Sequence, residues 1–325
     1  MDHTKIRAPL TLKNHVRNSV QTVAMHSGIS NWLAQKNHVR RILMLHGIGD
    51  SKMTQAEFYR VMSWLKRRYQ IVPLGRMIED IISNRPAPYG ANASELAITF
   101  DDGLRNQFKL ACPVIKELDL SATIFVCPGL VESGKWLWTH EARARMRRLS
   151  PDAMAEWAAH VGAPSKNEDG LIAWMKTTEL PHRHRLENCL RDMTPNFKPT
   201  QQEHDAYDPM DWNEVKAADA GPICIGSHTM THPILPTLNM DQILMELQSS
   251  KDHLQFHLKR DVDLFCYPNG SSDERVRSIA KKIYRAALTT DEGVIIENQD
   301  LFALPRIPVT AQIPLLAWRM YRPWA

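Results

Sequence analysis

Short runs of apolar residues recur along the chain, and polar or turn-forming residues follow each run. Largely apolar runs flanked by turn residues, without regular alternation of apolar and polar positions, are typical of strands buried on both faces of a parallel sheet. We therefore predict strands at Ile42–Leu45, Leu96–Phe100, Ala122–Val126, Ile223–Gly226, Leu264–Cys266 and Ala286–Thr289, with a shorter one at Ile71–Leu74.

Between these strands the apolar residues follow helical spacing. In Gln55–Tyr69 the residues Phe58, Val61, Met62 and Leu65 are three or four positions apart or adjacent, as in an amphipathic helix. The same spacing predicts helices at Leu104–Leu118, Asp241–Leu258 and Asp273–Arg285. Strands that alternate with helices favour an α/β fold with a parallel sheet. A chain of 325 residues can form two average domains or a single α/β barrel.

The alternation is interrupted between Pro128 and Gly221, where helical spacing continues without a convincing strand. We predict that residues 130–220 form a helical insertion over the C-terminal face of a barrel that spans residues 41–310. Residues 1–40 are predicted to form a basic helical N-terminal extension, and residues 311–325 an aromatic and basic C-terminal tail.

The composition and charge of the chain bear on its partners and its location in the cell. The net charge is +4, with 40 basic and 36 acidic residues, which is too balanced to indicate a nucleic-acid partner. Five scattered cysteines without a CxxC pair indicate free thiols. No apolar signal region follows Met1, and no uncharged apolar stretch reaches the length of a membrane span. We therefore expect a cytoplasmic protein.

Residues that can do chemistry follow three of the predicted strands. His46 follows the first strand, Asp101 and Asp102 follow the second, and His228 and His232 follow the strand after the insertion. In a barrel of parallel strands the active site collects at the C-terminal strand ends. We therefore expect these two carboxylates and three histidines to meet in one cleft.

The pattern also predicts a metal site. An Asp-Asp-Gly sequence is often no more than a turn, but two histidines four positions apart on a helical turn face the same way and can hold one divalent ion. One carboxylate and two histidines make a three-ligand hydrolytic site, for which Zn²⁺ is the simplest ion. The other carboxylate is then free to act as a base.

Three segments resemble the motifs of the polysaccharide deacetylases, the NodB-homology or carbohydrate esterase 4 family. Thr99–Gly103 (TFDDG) is similar to the first motif, Ser227–His232 (SHTMTH) to the second, and Phe265–Gly270 (FCYPNG) to the third. The resemblance implies a distorted TIM-like barrel of about seven parallel strands and metal-dependent removal of acetyl groups from sugars. It also implies that Asp101 is the general base and that Asp102, His228 and His232 hold the metal.

Two departures from the family pattern affect the expected roles. Many members place an arginine in the third motif, where this chain has Cys266, and many have a C-terminal Leu-x-His motif, where this chain has Leu304–Pro308 without a histidine. An exopolysaccharide-type branch instead has a histidine after the first strand, as in Leu45-His46-Gly47. We therefore expect His46 to be the general acid, with a purely structural histidine as the alternative.

Two residues of the third motif complete the predicted site. We expect Tyr267, through its backbone N–H, and Asn269 to contact the oxyanion or the substrate. Should His46 not be the acid, the histidines of the insertion are the remaining candidates: His140, His160, His182, His184 and His204.

The predicted function is metal-dependent N-deacetylation of an amino sugar in a glycan or a carrier-linked saccharide. Alternatives are a deformylase, an O-deacetylase, a phosphohydrolase with the same metal ligands, or a glycan-binding homologue that lost catalysis. The arginines of the insertion form either a solvated helix face or a contact with a membrane surface or lipid-linked glycan: Arg143, Arg145, Arg147 and Arg148.

Overall fold

Eight parallel strands form the centre of the computed structural model, which describes residues 39–49, 53–88 and 94–321. The strands are β1 (Arg41–Leu45), β2 (Gln70–Ile71), β3 (Glu95–Phe100), β4 (Ala122–Val126), β5 (Ile223–Ser227), β6 (Leu264–Cys266), β7 (Ala286–Glu292) and β8 (Leu304–Pro308). Strands β3 and β4 are buried at every position, as their mostly apolar runs predict.

Seven of these strands close into a barrel through β1. On one side β1 pairs with β3 from Arg41↔Leu96 onward, and on the other it pairs with β8 at Leu43↔Ile307. The remaining order runs β8-β7-β6-β5-β4-β3. The other edge of β3 is divided, because β2 pairs with its first residues and β4 with its last. The predicted distorted TIM-like barrel of about seven parallel strands is confirmed.

The helices surround the barrel in the expected alternation. They are α1 (Gln55–Lys66), α2 (Leu74–Ile82), α3 (Cys112–Glu117), α4 (Pro128–Ser133), α5 (Trp138–Met146), α6 (Pro151–His160), α7 (Glu168–Met175), α8 (Leu180–Met193), α9 (Gln201–Tyr207), α10 (Trp212–Asp219), α11 (Met240–Leu258), α12 (Glu274–Ile283) and α13 (Ile313–Tyr321). A capping box begins α1, where the Thr54 hydroxyl accepts from the Glu57 N–H and the Glu57 carboxylate accepts from the Thr54 N–H.

Seven helices, α4 to α10, lie between β4 and β5. Helices α5 to α8 have their own apolar core, whereas Val131 of α4 and Val215 of α10 pack in the barrel core. The separate core includes Trp138, Trp157, Leu171, Leu186 and Leu190. This core is separate from the main barrel cluster around Leu43, Phe58, Phe100 and Ile124. The segment between β4 and β5 is therefore stabilised by its own packing, and it can present side chains to the barrel from outside.

The arginines of α5 and the residues just after it are paired within this helical segment. Arg143 and Arg147 lie 2.7 and 2.8 Å from Glu168, Arg145 lies 2.9 Å from Glu141, and Arg148 lies 2.6 Å from Glu203. These ion pairs connect α5 to α7 and α9. The four arginines do not form an unpaired basic face, so they do not by themselves argue for contact with an anionic surface.

The structure differs from the prediction at three elements. Strand β8 is missing from the prediction, because Pro305 and Pro308 within five residues argue against a strand. The predicted strand Ile71–Leu74 is reduced to Gln70–Ile71, since α2 begins at Leu74. The predicted helix Leu104–Leu118 is a π-helical turn, Gln107–Ala111, followed by α3.

The ends of the chain are described only in part. Residues 1–38 of the predicted N-terminal extension and residues 322–325 of the predicted tail lie outside the described residues. Within the tail, α13 packs on the barrel through Leu316, Ala317 and Met320, all fully buried. None of the helices in the described ranges combines the length and the apolar character needed to cross a membrane.

Candidate active site

A left-handed turn after β3 separates two adjacent carboxylates. The Asp101 N–H donates to the Leu45 carbonyl at 2.9 Å, so Asp101 still follows the strand. Asp102 then has a φ of 78° and Gly103 a φ of 68°. Few residues other than glycine adopt this region, although aspartate does so more readily than most. The turn gives the two side chains different environments, and both remain buried.

A second left-handed loop carries the two histidines after β5. Thr229 has a φ of 66° and His232 a φ of 59°, and the Thr229 hydroxyl accepts a hydrogen bond from the His232 N–H at 3.0 Å. A β-branched residue in this region is strained, as residues at functional sites often are. The expectation that a helical turn brings His228 and His232 together is wrong, because this loop does so instead.

Asp102, His228 and His232 converge on one point. Asp102 Oδ1 lies 3.5 Å from His228 Nε2 and 3.4 Å from His232 Nε2. The His228 Nδ1–H donates to the Cys266 carbonyl at 2.7 Å, which leaves Nε2 with its lone pair toward Asp102. Ligand atoms around a tetrahedral zinc ion are about 3.3 Å apart. The donor set and its spacing therefore fit a divalent metal.

Asp101 is held by an arginine that the sequence analysis did not identify. Arg306 Nη1 and Nη2 each donate to one Asp101 oxygen at 2.7 Å. The same guanidinium donates to Thr99 Oγ1, to the Thr289 carbonyl and to Cys266 Sγ. Its five N–H groups thus have partners, as complete burial requires. Arg306 on β8 thus reaches Asp101 from beside Cys266, the position at which the third sequence motif has no arginine.

This ion pair keeps Asp101 ionised. Burial alone raises the pKa of the Asp101 carboxyl, but the Arg306 charge and its hydrogen bonds outweigh burial and hold the pKa below the ordinary value. At neutral pH Asp101 is therefore a carboxylate. The Arg306 cation also makes the neighbouring cluster of Asp101, His228 and Cys266 unsuitable for a second metal ion.

His46 lies beside the Asp101 carboxylate. His46 Nε2 is 3.9 Å from Asp101 Oδ2, and about half of the imidazole, 53%, is exposed to solvent. Both residues line a cavity of about 200 Å³ together with Asp102, His228, His232 and Asn269. The structure thus brings six of the seven predicted site residues into one cavity.

Tyr267 is the exception. Its backbone N–H donates to the Leu288 carbonyl at 3.1 Å within the sheet, and its hydroxyl donates to the Phe302 carbonyl at 3.1 Å. The expected contact between this N–H and an oxyanion is therefore not available. Asn269, at a φ of 55°, accepts a hydrogen bond from the Lys176 ammonium, and its own Nδ2 is buried without a partner among the described residues.

The helices between β4 and β5 complete the cavity wall. His140, Arg143 and Lys176 all line it. His140 stacks on Tyr207 with 4.4 Å between ring centroids, and burial lowers its pKa to about 4. An imidazole that is neutral at pH 7 is a poor proton donor. Of the insertion histidines, His140 is the one that reaches the cavity.

Comparison with known proteins gives a consistent result. The sequence profile described as “Polysaccharide deacetylase” matches residues 89–164 and 174–287, which include both aspartates and both histidines of the convergent set. A Bacillus subtilis protein named “Putative polysaccharide deacetylase YxkH” is 23% identical over 306 residues, which is 92% of this chain and 81% of that protein.

Solved structures are similar in fold at low sequence identity. The Streptococcus pyogenes deacetylase PplD, in complex with acetate, matches with a TM-score of 0.59 and 18% identity over 88% of this chain and 99% of its own. IcaB from Ammonifex degensii matches with a TM-score of 0.56 and 16% identity over 87% of this chain and 98% of its own. At these identities the structural likeness concerns the barrel fold.

Proposed function

The chain belongs to the polysaccharide deacetylase family, and we propose that it hydrolyses the N-acetyl group of an amino sugar in a glycan or a carrier-linked saccharide with the help of one divalent metal ion. One observation carries the proposal: Asp102, His228 and His232 point their ligand atoms at one place, beside a second carboxylate that an arginine keeps ionised. A metal-ligand set and a separate base are the parts that amide hydrolysis needs.

Asp102, His228 and His232 are the proposed metal ligands. Two imidazole nitrogens and one carboxylate oxygen suit zinc, the ion we propose for this site. Such an ion supplies Lewis acidity, which polarises a carbonyl group and lowers the pKa of water. The bond from His228 to the Cys266 carbonyl fixes the imidazole orientation and increases its basicity as a ligand.

Asp101 is the proposed general base. Its carboxylate accepts the proton of the attacking water, and Arg306 fixes the orientation of the carboxylate with two parallel hydrogen bonds. Oδ1 also accepts from the Cys266 thiol at 3.6 Å, whereas Oδ2 retains a second lone pair for this transfer. Arg306 is thus a positioning residue, which supports the view that the Cys266 departure does not remove catalytic function.

His46 is the proposed general acid. Expulsion of an amine from an amide needs a proton, because the unprotonated amine is a poor leaving group. His46 is not one of the proposed metal ligands, lines the same cavity, and has its Nε2 3.9 Å from Asp101 Oδ2. His140 is the weaker candidate, since its pKa of about 4 leaves it neutral at pH 7.

A non-catalytic glycan-binding protein is a less suitable interpretation. Burial of an ion pair such as Asp101–Arg306 costs desolvation free energy, and a binding module needs no ionised base next to a metal site. A catalyst needs this carboxylate charged and fixed in place.

The proposal is tested by assaying acetate release from N-acetylglucosamine oligomers with chelator-treated protein before and after addition of one equivalent of Zn²⁺. We expect acetate and free amine in equal amounts only after zinc is added. Release of formate from N-formylated sugars alone would identify a deformylase, and release of phosphate from sugar phosphates alone would identify a phosphohydrolase. Either result would replace the proposed reaction.

A further inference from the structure

Lys176 is a half-buried cation in the cavity wall without a carboxylate partner. It follows α7 directly and reaches the barrel rim, where its ammonium donates to the Asn269 side-chain carbonyl. Among the described residues no acidic group lies within ion-pair distance of Lys176. Arg143, which lines the same cavity, differs in this respect because it lies 2.7 Å from both Glu168 and Asp169.

The two carboxylates in the cavity wall already interact with groups other than Lys176. Asp101 is matched by Arg306, and Asp102 faces His228 and His232 as a metal ligand. Burial lowers the pKa of Lys176, and the nearby Arg143 charge lowers it further, whereas only Asp102 raises it. An unmatched ammonium in a partly closed site is unfavourable until an anion enters.

Asn269 supplies an independent observation beside this lysine. Because its Oδ1 accepts from Lys176, its Nδ2 group is a donor, and Nδ2 is buried without a partner among the described residues. Buried donors without partners are rare and are often explained by a missing ligand. Thr290 fixes the turn by donating to the Asn269 carbonyl at 3.2 Å. Lys176 and Asn269 are therefore adjacent polar residues of the cavity wall, and a small rotation of the Asn269 side chain would offer its unpartnered Nδ2 to a ligand.

We propose that the sugar substrate carries an oxyanion, a carboxylate or a phosphate, near its N-acetyl group, and that Lys176 and Asn269 bind this oxyanion. The proposal rests on the proposed deacetylase function and specifies its substrate class. Arg143 lines the same wall, but Glu168 and Asp169 already pair with its charge. A neutral glycan would leave the Lys176 charge uncompensated, and its binding would not require a cation at this position.

The test compares three sugars with the zinc-loaded full chain: N-acetylglucosamine, N-acetylmuramic acid with its carboxylate, and N-acetylglucosamine 1-phosphate. We expect kcat/KM for at least one anionic sugar to exceed that of the neutral sugar by about tenfold or more. Lys176→Met should reduce this preference by about tenfold, and Lys176→Arg should retain most of it. The anionic sugar that shows the effect distinguishes carboxylate from phosphate.

Lys166→Met is the matched control, because Lys166 is an exposed lysine of the same helical segment that does not line the cavity. It should leave the preference unchanged. The proposal is overturned if the neutral sugar is used as well as both anionic sugars, or if Lys176→Met lowers kcat/KM equally for all three.

Failure of the proposed function is distinguishable from failure of this proposal. In that case the zinc-loaded protein would release acetate from none of the three sugars. Calorimetric titration with N-acetylglucosamine 1-phosphate and N-acetylmuramic acid then still tests whether Lys176 binds an oxyanion. Weaker binding of at least one of these sugars to Lys176→Met than to Lys166→Met supports the oxyanion site. Equal binding of both sugars to the two variants contradicts it.

Discussion

Arg306 and Asp101 are 205 positions apart in the chain, yet they form two parallel hydrogen bonds of 2.7 Å each. Both side chains are almost completely buried, with 0% and 3% of their surface exposed. A buried pair of this kind stabilises the fold only as long as both partners are present. The same pair sets the protonation state and the orientation of the proposed base.

Replacement of Arg306 by methionine should therefore destabilise the protein strongly. We expect the free energy of unfolding at pH 7 to fall by about 3–5 kcal/mol, because an uncompensated carboxylate remains buried. Arg275→Met is the control, since Arg275 pairs with Asp273 with 46% of its side chain exposed and should cost at most about 1 kcal/mol. Urea unfolding of both variants measures the difference.

The destabilisation should shrink in acid. Arg306 lowers the pKa of Asp101, so the stabilising effect of the pair is complete above the unfolded-state pKa of about 3.9 and is lost as the pH falls through the lower folded-state pKa. A destabilisation by Arg306→Met that is small at pH 7, or that grows as the pH falls, would contradict this assignment.

Arg306→Lys should change the pH profile of the reaction. Lysine keeps a positive charge but cannot donate to both carboxylate oxygens in parallel, so the pKa of Asp101 should rise. Because a general base must be deprotonated, the acid limb of kcat/KM should then move to higher pH than in the wild type. An unchanged acid limb would mean that Arg306 does not set the pKa of Asp101, and a lower kcat at an unchanged acid limb would leave only its effect on the orientation of the carboxylate.

The proposed metal ligands make a direct prediction about metal content. His228→Ala and His232→Ala should each remove most bound zinc, because each variant leaves only two protein ligands. His253→Ala is a suitable control, since His253 lies on α11 and its Nδ1 contacts the Ser249 carbonyl. Metal analysis after dialysis measures the result, and full zinc occupancy in both ligand variants would rule out this site.

His46 is tested by the choice of leaving group. His46→Ala should retain zinc and lose most activity on N-acetyl amides, roughly 10²- to 10⁴-fold, but it should spare activated acetyl esters whose leaving group needs no proton. His140→Ala on the same two substrate types is the comparison variant. Equal loss on amide and ester in His46→Ala, with a selective loss on amides in His140→Ala, would transfer the acid role to His140.

Much of the fold could be predicted from the sequence because buried parallel strands carry an unambiguous pattern. The runs before His46, Asp101 and His228 became β1, β3 and β5, and their ends meet as barrel geometry requires. The convergence of His228 and His232 was expected for the wrong reason. A left-handed backbone at Thr229 cannot be inferred from helical spacing.

Arg306 could not be found in the same way. It lies between two prolines, in a segment that matches no strand pattern, and the Asp101 carboxylate that it binds is 205 positions away in the sequence. One chemical argument could have indicated such a residue. A buried carboxylate base needs a cation beside it, and the third motif has Cys266 where a cation was expected, so the cation had to come from another segment. The role of Lys176 also depends on tertiary contact, since it comes from a helix outside the barrel.

The central claim is that Asp101 acts as a base next to a metal held by other residues. The most direct measurement is acetate release from N-acetylated sugars by zinc-loaded wild-type protein and Asp101→Asn, with zinc content determined in the same samples. The account predicts equal zinc in both proteins and a turnover lower by about 10²–10⁴-fold in Asp101→Asn. Loss of zinc from Asp101→Asn, or undiminished acetate release with zinc bound, would contradict it.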